Sequence, residues 1–305
     1  MILLYHLIFS DDAPPDQWTA GYVMRLRDFK KQVRWLKKRF PVVALEAYLA
    51  VEKKERNRLI AITFDDGYRE TFKLIQPFLQ RESIPATFFI NTNHLEEFRL
   101  LWFVYFNALC FEKVYLELII ADQPYPLDTH RACTHAWKAL IEQAQTSGDA
   151  IGFADSYSEK YPLPETVISK YIGLDEAQLS TIGKSTLLEA GGHTHSHPYL
   201  DQIPYEQQLH EIKKNKRIIE NITKKPVRYF AYTGGVYNAE SISAVKHVGF
   251  DAALAVKPRH FMPDENFELA RTDIYSPALW KLKLKVHGIE SLARKIIKNK
   301  HSQYD

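Results

Sequence analysis

The alternation of apolar and polar positions divides the chain into pieces of strand and helix length. Met1–Ile8 is a short apolar run and predicts a first β-strand. In RLRDFKKQVRWLKKRF (25–40), apolar residues at Phe29, Val33, Trp35 and Leu36 recur at near-helical spacing opposite a basic face. PVVAL (41–45) predicts a short buried strand. RLIAITF (58–64) is a continuous apolar run, as expected for a parallel strand covered on both faces. A helix over 68–83 and a strand over 85–91 complete a β-α-β pattern. Residues 93–180 change character: aromatics crowd Trp102–Phe111, and helical patterns follow at THAWKALIEQA and PETVISKYI. This predicts a mostly helical insertion. Strand signals resume at TLLEAGGHTHSHP. The amphipathic helix YEQQLHEIKKNKRIIENI follows, then the strand VRYFAYT, the helix AESISAVKHVG, the strands DAALAV and FELARTDIYSP, and a basic helix, GIESLARKIIKNK (288–300). Repeated β-α units predict an α/β fold of the barrel type, one catalytic domain over 1–305 with 93–180 inserted in it.

Bulk properties narrow the partners. The 305-residue chain is 46% hydrophobic and 25% charged, ordinary globular usage. A net charge of +3 is too weak to argue for nucleic acid. Basic residues cluster at 30–39 and 281–300; both read as solvated faces, and the C-terminal one also suits peripheral contact with a membrane. Cys110 and Cys133 sit in no motif, so neither a disulfide framework nor a cysteine metal site is expected. The opening MILLYHLIFSDDAPP has no basic start and no small-residue cleavage site, so it does not read as a secretory signal, and the expected location is cytoplasmic or membrane-proximal. LLWFVYFNALCF is too short and mixed to span a bilayer.

The candidate chemistry begins at Asp65 and Asp66, adjacent carboxylates at the end of a buried strand. That rim is where α/β folds put their active sites. Alone, such a pair is ordinarily a turn or a helix cap. A bound divalent cation removes the repulsion and demands further ligands at another strand end. GGHTHSHPYL offers His193, His195 and His197. His193 and His197 would share a face of a helical turn, His193 and His195 a face of a strand; spacing alone does not choose. Two imidazoles and one carboxylate leave open positions at a catalytic cation, which acidifies water for attack on a carbonyl. The other aspartate is then a general base.

TFDDGY (63–68) and HTHSHP (193–198) resemble the first two motifs of the polysaccharide deacetylase family, the NodB-homology domain. ILLYH, PATFFINT and LHEIKKNKRIIENITKKPVRYFAYTGG extend the resemblance in order along the chain, the last matching a branch whose third motif reads Phe-Ala-Tyr. The resemblance implies a distorted (β/α) barrel of about seven repeats and metal-dependent removal of an N-acetyl group from an amino sugar in a polysaccharide, glycolipid or precursor glycoside. It implies Asp65 as base, Asp66, His193 and His197 as ligands of a divalent metal (zinc, with cobalt, manganese, iron or nickel as alternatives), and Thr63, Gly67 and Thr194 as loop-shaping residues. The family's late Leu-x-Ile-His motif has a counterpart in Leu284–His287, which makes His287 the expected general acid. The third motif departs from the family: Ala231 stands at the arginine position and Thr233 at the proline. Arg271 is therefore the candidate to orient the base, with Asp273 beside it. Tyr232, Tyr237 and His6 are candidate substrate contacts, and the aromatics from Trp102 to Phe106 either stack on sugar or pack the insertion's own core. The alternatives are a carbohydrate-binding barrel without turnover and a deacylase for another acyl group such as formyl.

Overall fold

The computed structural model describes residues 1–13, 24–261 and 265–288. Its strands are β1 (Ile2–Tyr5), β2 (Ile8–Phe9), β3 (Met24–Arg25), β4 (Ala61–Phe64), β5 (Ala86–Ile90), β6 (Glu117–Ile120), β7 (Gln123–Pro126), β8 (Leu188–Gly192), β9 (Tyr229–Ala231), β10 (Ala252–Ala255) and β11 (Leu269–Asp273). The helices are α1 (Leu26–Lys37), α2 (Leu45–Ala50), α3 (Arg69–Arg81), α4 (Trp102–Phe111), α5 (His130–Thr146), α6 (Ala150–Lys160), α7 (Glu165–Tyr171), α8 (Glu176–Lys184), α9 (Tyr205–Thr223), α10 (Ala239–His247) and α11 (Leu279–Val286). A closed parallel barrel runs in the order β1-β11-β10-β9-β8-β5-β4.

Strand periodicity sorts the barrel residues into two packed layers. Leu3, Tyr5, Ile62, Phe64, Phe88, Ile90, Leu188 and Phe230 point outward into one core with the surrounding helices. Ile2, Ala61, Phe89, Tyr229, Ala231, Ala252 and Leu254 point inward and fill the barrel. This two-residue period decides which side chains reach the inner rim. The barrel is irregular where β8 meets β9, which share the single register pair Gly192–Phe230.

Between β5 and β8 the chain leaves the barrel. Residues from Leu100 to Ile172 build a second apolar core, which also takes in Leu7 and Tyr68 of the barrel rim. Nearly every residue of α4 is buried, as expected for a helix apolar on all sides. α5 lays Cys133, Ala136, Leu140 and Ala144 against it, a stripe of mostly small residues at helical spacing. The insertion is not purely helical: β6 and β7 form an antiparallel hairpin within it. α8 belongs to the barrel layer, since Leu179 and Ile182 pack in the barrel's outer core.

Two expected elements differ. PVVAL forms no strand; Val42 makes one bridge to Ile60 and α2 begins at Leu45. Pro41, the first residue of that run, has no N–H to donate to a ladder. Leu284–Val286 is the end of helix α11 and not a strand. The basic helix expected over 288–300 lies, beyond Gly288, outside the described residues.

Candidate active site

The inner face of β4 runs Ala61, Thr63 and on to Asp65, whose N–H donates to the Tyr5 carbonyl at 3.1 Å. Asp66 then adopts a left-handed backbone, φ 67°, so the second carboxylate leaves the strand direction of the first. Gly67 continues the turn at φ 62°, where a Cβ would lie 3.1 Å from Ile90 Cγ2. On β8 the inner series reaches His193. Thr194 and His197 are also left-handed, at φ 61° and 63°. Such non-glycine residues cost about 1–3 kcal/mol each and persist only where their surroundings hold them.

Several groups hold this loop. Asn215, fully buried on α9, donates to the carbonyls of Ile90 at 2.8 Å and Thr194 at 2.7 Å and accepts the His193 N–H at 3.1 Å. Asn91 donates to the His193 carbonyl. The Thr194 hydroxyl accepts the His197 N–H at 3.1 Å, and Thr233 donates to the Pro198 carbonyl at 2.5 Å. From the insertion, Trp102 donates its indole N–H to the His197 carbonyl at 3.0 Å.

The result is a compact donor set. Asp66, His193 and His197 are all buried and can each offer one ligand atom within 4.8 Å of the others. His193 Nε2 lies 3.5 Å and His197 Nε2 3.6 Å from Asp66 Oδ1. His193 Nδ1 donates to the Ala231 carbonyl at 2.7 Å, which leaves the Nε2 lone pair facing the site. Two imidazoles and a carboxylate in this arrangement fit a divalent cation. His195 stands outside the cluster, with Nδ1 2.9 Å from the Thr92 hydroxyl and Nε2 3.5 Å from Glu96.

Asp65 does not join the donor set. Arg271, on the inner face of β11, grips it at two points: Nη1–Oδ1 2.6 Å and Nη2–Oδ2 2.7 Å. Burial pushes the Asp65 pKa up, but the charges of Arg271 and His193 outweigh it and hold the carboxyl below the usual range. For Asp66 too, burial acts upward and is overcome by the hydrogen bond from His193 and the charges of His6 and His197. Burial brings His197 down to about 4, against the pull of Asp66, which favours its neutral ligand form. His193 is raised despite its burial, because both aspartates face it.

The site opens into a cleft of about 730 Å³, lined on the barrel side by Leu4, His6, Tyr232, Lys257 and Tyr275 and on the insertion side by Phe103, Trp137, Ile141 and Gln145. His6 is the next inner position of β1 after Leu4, which pairs with Thr63 on β4 and Asp273 on β11. Its ring stacks on Tyr275 at 5.7 Å, and its Nδ1 has no hydrogen-bond partner among the described residues. Asp273 lies near enough to feel His6, and burial raises its pKa.

Two expected residues lie elsewhere. His287 caps the C-terminal end of α11, with its ring 6.1 Å from Trp35 and 6.2 Å from Phe40; it does not line the cleft. Tyr237 is fully buried behind the wall, stacked on Tyr232 at 4.2 Å and donating to Glu268 at 2.8 Å. Tyr232 is a buried residue of the cleft wall, and its hydroxyl donates to the Phe267 carbonyl at 3.0 Å. Among the insertion aromatics, Trp102 and Phe103 reach the cleft; Tyr105 and Phe106 pack in the insertion core. Sequence reasoning missed Asn215, although a polar residue in the buried stripe Ile212, Asn215, Ile219 of α9 was its signal.

The chain matches the polysaccharide deacetylase family over residues 52–153 and 155–253. It is 22% identical over 255 residues to the poly-beta-1,6-N-acetyl-D-glucosamine N-deacetylase of Staphylococcus epidermidis, covering 82% of this chain and 68% of the relative. It is 24% identical over 119 residues to the putative polysaccharide deacetylase YxkH of Bacillus subtilis, covering 35% of this chain and 42% of the relative. The fold resembles that of the deacetylase PplD of Streptococcus pyogenes in complex with acetate, with TM-score 0.59, 16% identity and coverage of 90% and 93%. It also resembles IcaB from Ammonifex degensii, with TM-score 0.53, 14% identity and coverage of 93% and 98%. With the family's two motifs meeting at the rim of a seven-stranded barrel and its sequence pattern running through both flanks of the insertion, the chain belongs to the polysaccharide deacetylase family.

Proposed function

We propose that the protein is a metal-dependent hydrolase that removes the N-acetyl group from an amino sugar in a polysaccharide, glycolipid or precursor glycoside. The observation that carries this reading is a buried Asp-His-His donor set beside a separate carboxylate, Asp65, locked by Arg271 in the same cleft. Asp66, His193 and His197 would hold the cation, zinc in the first instance, with cobalt, manganese, iron and nickel compatible with the same donors. When bound, the cation supplies Lewis acidity that polarises the amide carbonyl and acidifies water.

The chain's own residues do the remaining work. Asp65 accepts a proton from the attacking water, and Arg271 keeps that carboxylate ionised and fixed in direction. As the C–N bond breaks, the amine nitrogen needs a proton. His6 takes the role expected of His287: it lies in the cleft beside both aspartates, with an Nδ1 unpartnered among the described residues. Acetate and the free amino sugar leave. The Phe-Ala-Tyr third motif supports a branch of the family in which the base-orienting arginine comes from β11, while the Ala231 backbone carbonyl orients a metal ligand instead.

The relative from Staphylococcus epidermidis supports a polymer of N-acetylglucosamine as the substrate class. Peripheral membrane contact through the C-terminal basic segment belongs to the same reading and is supported by the exposed Trp280 beside Lys281; no helix among the described residues is long and apolar enough to cross a membrane. The test is acetate release from N-acetylglucosamine oligomers by protein as isolated, after chelation, and after adding back zinc, cobalt or manganese. Activity that follows the metal and vanishes in Asp65→Asn, while cation content persists, supports the reading. A protein that binds no cation under any loading condition overturns it.

A further inference from the structure

Helix α5 shows two faces with different chemistry. Its small residues Ala136, Leu140 and Ala144 are buried in the insertion core. A second stripe, Trp137, Ile141 and Gln145, recurs at intervals of four and lines the cleft that holds the candidate metal ligands. Residues so spaced lie one above another on a helix surface.

Trp137 is unlike the other aromatics of the insertion. Trp102 has given its N–H to the His197 carbonyl and packs edge-on against Phe103, Phe106 and Tyr199. Trp137 is half-buried, and among the described residues no ring packs on it and its indole N–H has no partner. At the end of the stripe, Gln145 donates its amide N–H to the Tyr199 hydroxyl at 3.0 Å. Its Oε1 has no partner among the described residues and can accept a hydroxyl. Phe103 joins this wall to the catalytic end, since its ring lies 4.7 Å from that of His197.

We propose that Trp137, Ile141 and Gln145 form a second sugar-binding subsite, which holds a ring of the N-acetylated glycan adjacent to the one being deacetylated. This rests on the deacetylase reading of the same cleft. A pyranose has an apolar C–H face bordered by hydroxyls. An unstacked indole beside an aliphatic residue, with an indole N–H and an amide oxygen at the margins, matches that mixture. An acyl chain would match the indole and isoleucine but leave both polar groups unpaired. The insertion thereby sets how many sugar units the enzyme requires.

The test compares Trp137→Ala and Trp137→Phe with the wild type on N-acetylglucosamine and on its β-1,4- and β-1,6-linked tetramers, with cation content measured in each. A lost aromatic contact shifts binding by about three- to tenfold. The expected result is a KM for tetramer raised by that factor in Trp137→Ala and less in Trp137→Phe, with no such change for the monosaccharide. A second arm measures tetramer binding to Asp65→Asn and to Asp65→Asn/Trp137→Ala by calorimetry, so that the subsite is read even if the tetramer is not turned over. Weaker binding in the double variant supports the subsite. Equal tetramer binding with and without Trp137 overturns it while leaving the hydrolase reading intact. Wild-type protein that binds neither tetramer overturns the subsite as well.

Discussion

Arg271 and Asp65 meet as a two-point ion pair, 206 residues apart in sequence and both closed off from solvent, with N–O distances of 2.6 and 2.7 Å. Breaking such a buried pair leaves an uncompensated charge, which costs about 3–5 kcal/mol. Arg271→Ala is therefore expected to lower unfolding free energy in urea by that amount. Adding Asp65→Asn should recover a large part of the loss, because the stranded charge is gone. A double variant no more stable than Arg271→Ala would show that the pair is not coupled. Arg271→Lys, which cannot reproduce the planar fork, should fall well below wild type in acetate release.

Asn215 supports the loop of the donor cluster through backbone groups, accepting the His193 N–H and donating to the carbonyls of Ile90 and Thr194. Removing a group that orients ligands typically costs about 10–100-fold in metal affinity. Asn215→Ala should show this in a competitive zinc titration against a chromophoric chelator. Unchanged affinity in a folded variant would mean that the loop is held adequately by Asn91 and Trp102.

The acid role proposed for His6 has a signature that a structural role lacks. An amide's leaving amine must be protonated, whereas the phenolate of an aryl acetate leaves without help. His6→Ala should lose about 10²–10⁴-fold in kcat on an acetamido sugar and much less on 4-nitrophenyl acetate. Equal losses on both would remove His6 from the acid role. His287→Ala, exposed at the end of α11 and outside the cleft lining, should change stability by no more than about 0.5 kcal/mol and leave acetate release at the wild-type rate.

Glu189 points into the barrel from β8 and accepts a hydrogen bond from Thr87 at 3.2 Å. Burial pushes its pKa up to about 7 from an ordinary 4.5. The protonated form is favoured in the folded state, so its stabilising effect is complete below pH 4.5 and is lost as pH rises through 7. Glu189→Gln stays neutral throughout. The unfolding free energy of the variant relative to wild type should therefore climb between these pH values and then level off, by an amount on the order of 3 kcal/mol. A pH-independent difference would mean that Glu189 is solvated.

Legibility followed how local each signal was. The adjacent aspartates and the histidine triplet are contiguous motifs, so the sequence pointed to both strand ends before any geometry was known. The choice of His197 over His195 needed the left-handed turn at Thr194, which spacing does not encode. Arg271 carried one local clue, the two-residue period of Leu269, Arg271 and Asp273, but its partner is on another strand. His287 misled because a four-residue match to the family's late motif does not fix the backbone: Leu279, Leu282 and Val286 share one face of a helix, and His287 follows its end. Burial of Leu282 in the barrel's outer core accompanies the helical choice. The aromatic cluster at Trp102–Phe106 drew attention because it is dense. Density marked a packed core, and the indole left unstacked, Trp137, stood alone in a polar-looking helix.

The bond from Trp102 to the His197 carbonyl joins two parts of the chain that could otherwise rise and fall independently. The insertion has a core of its own, whose buried residues include only Leu7 and Tyr68 of the barrel rim, and such units open and close on their own timescales. Each opening withdraws the support of His197, which is held in a left-handed conformation. In the proposed metal site the lifetime of a bound cation would thereby be tied to the breathing of the insertion, so excising residues 100–172 to obtain a minimal enzyme is expected to yield a barrel that exchanges its metal quickly.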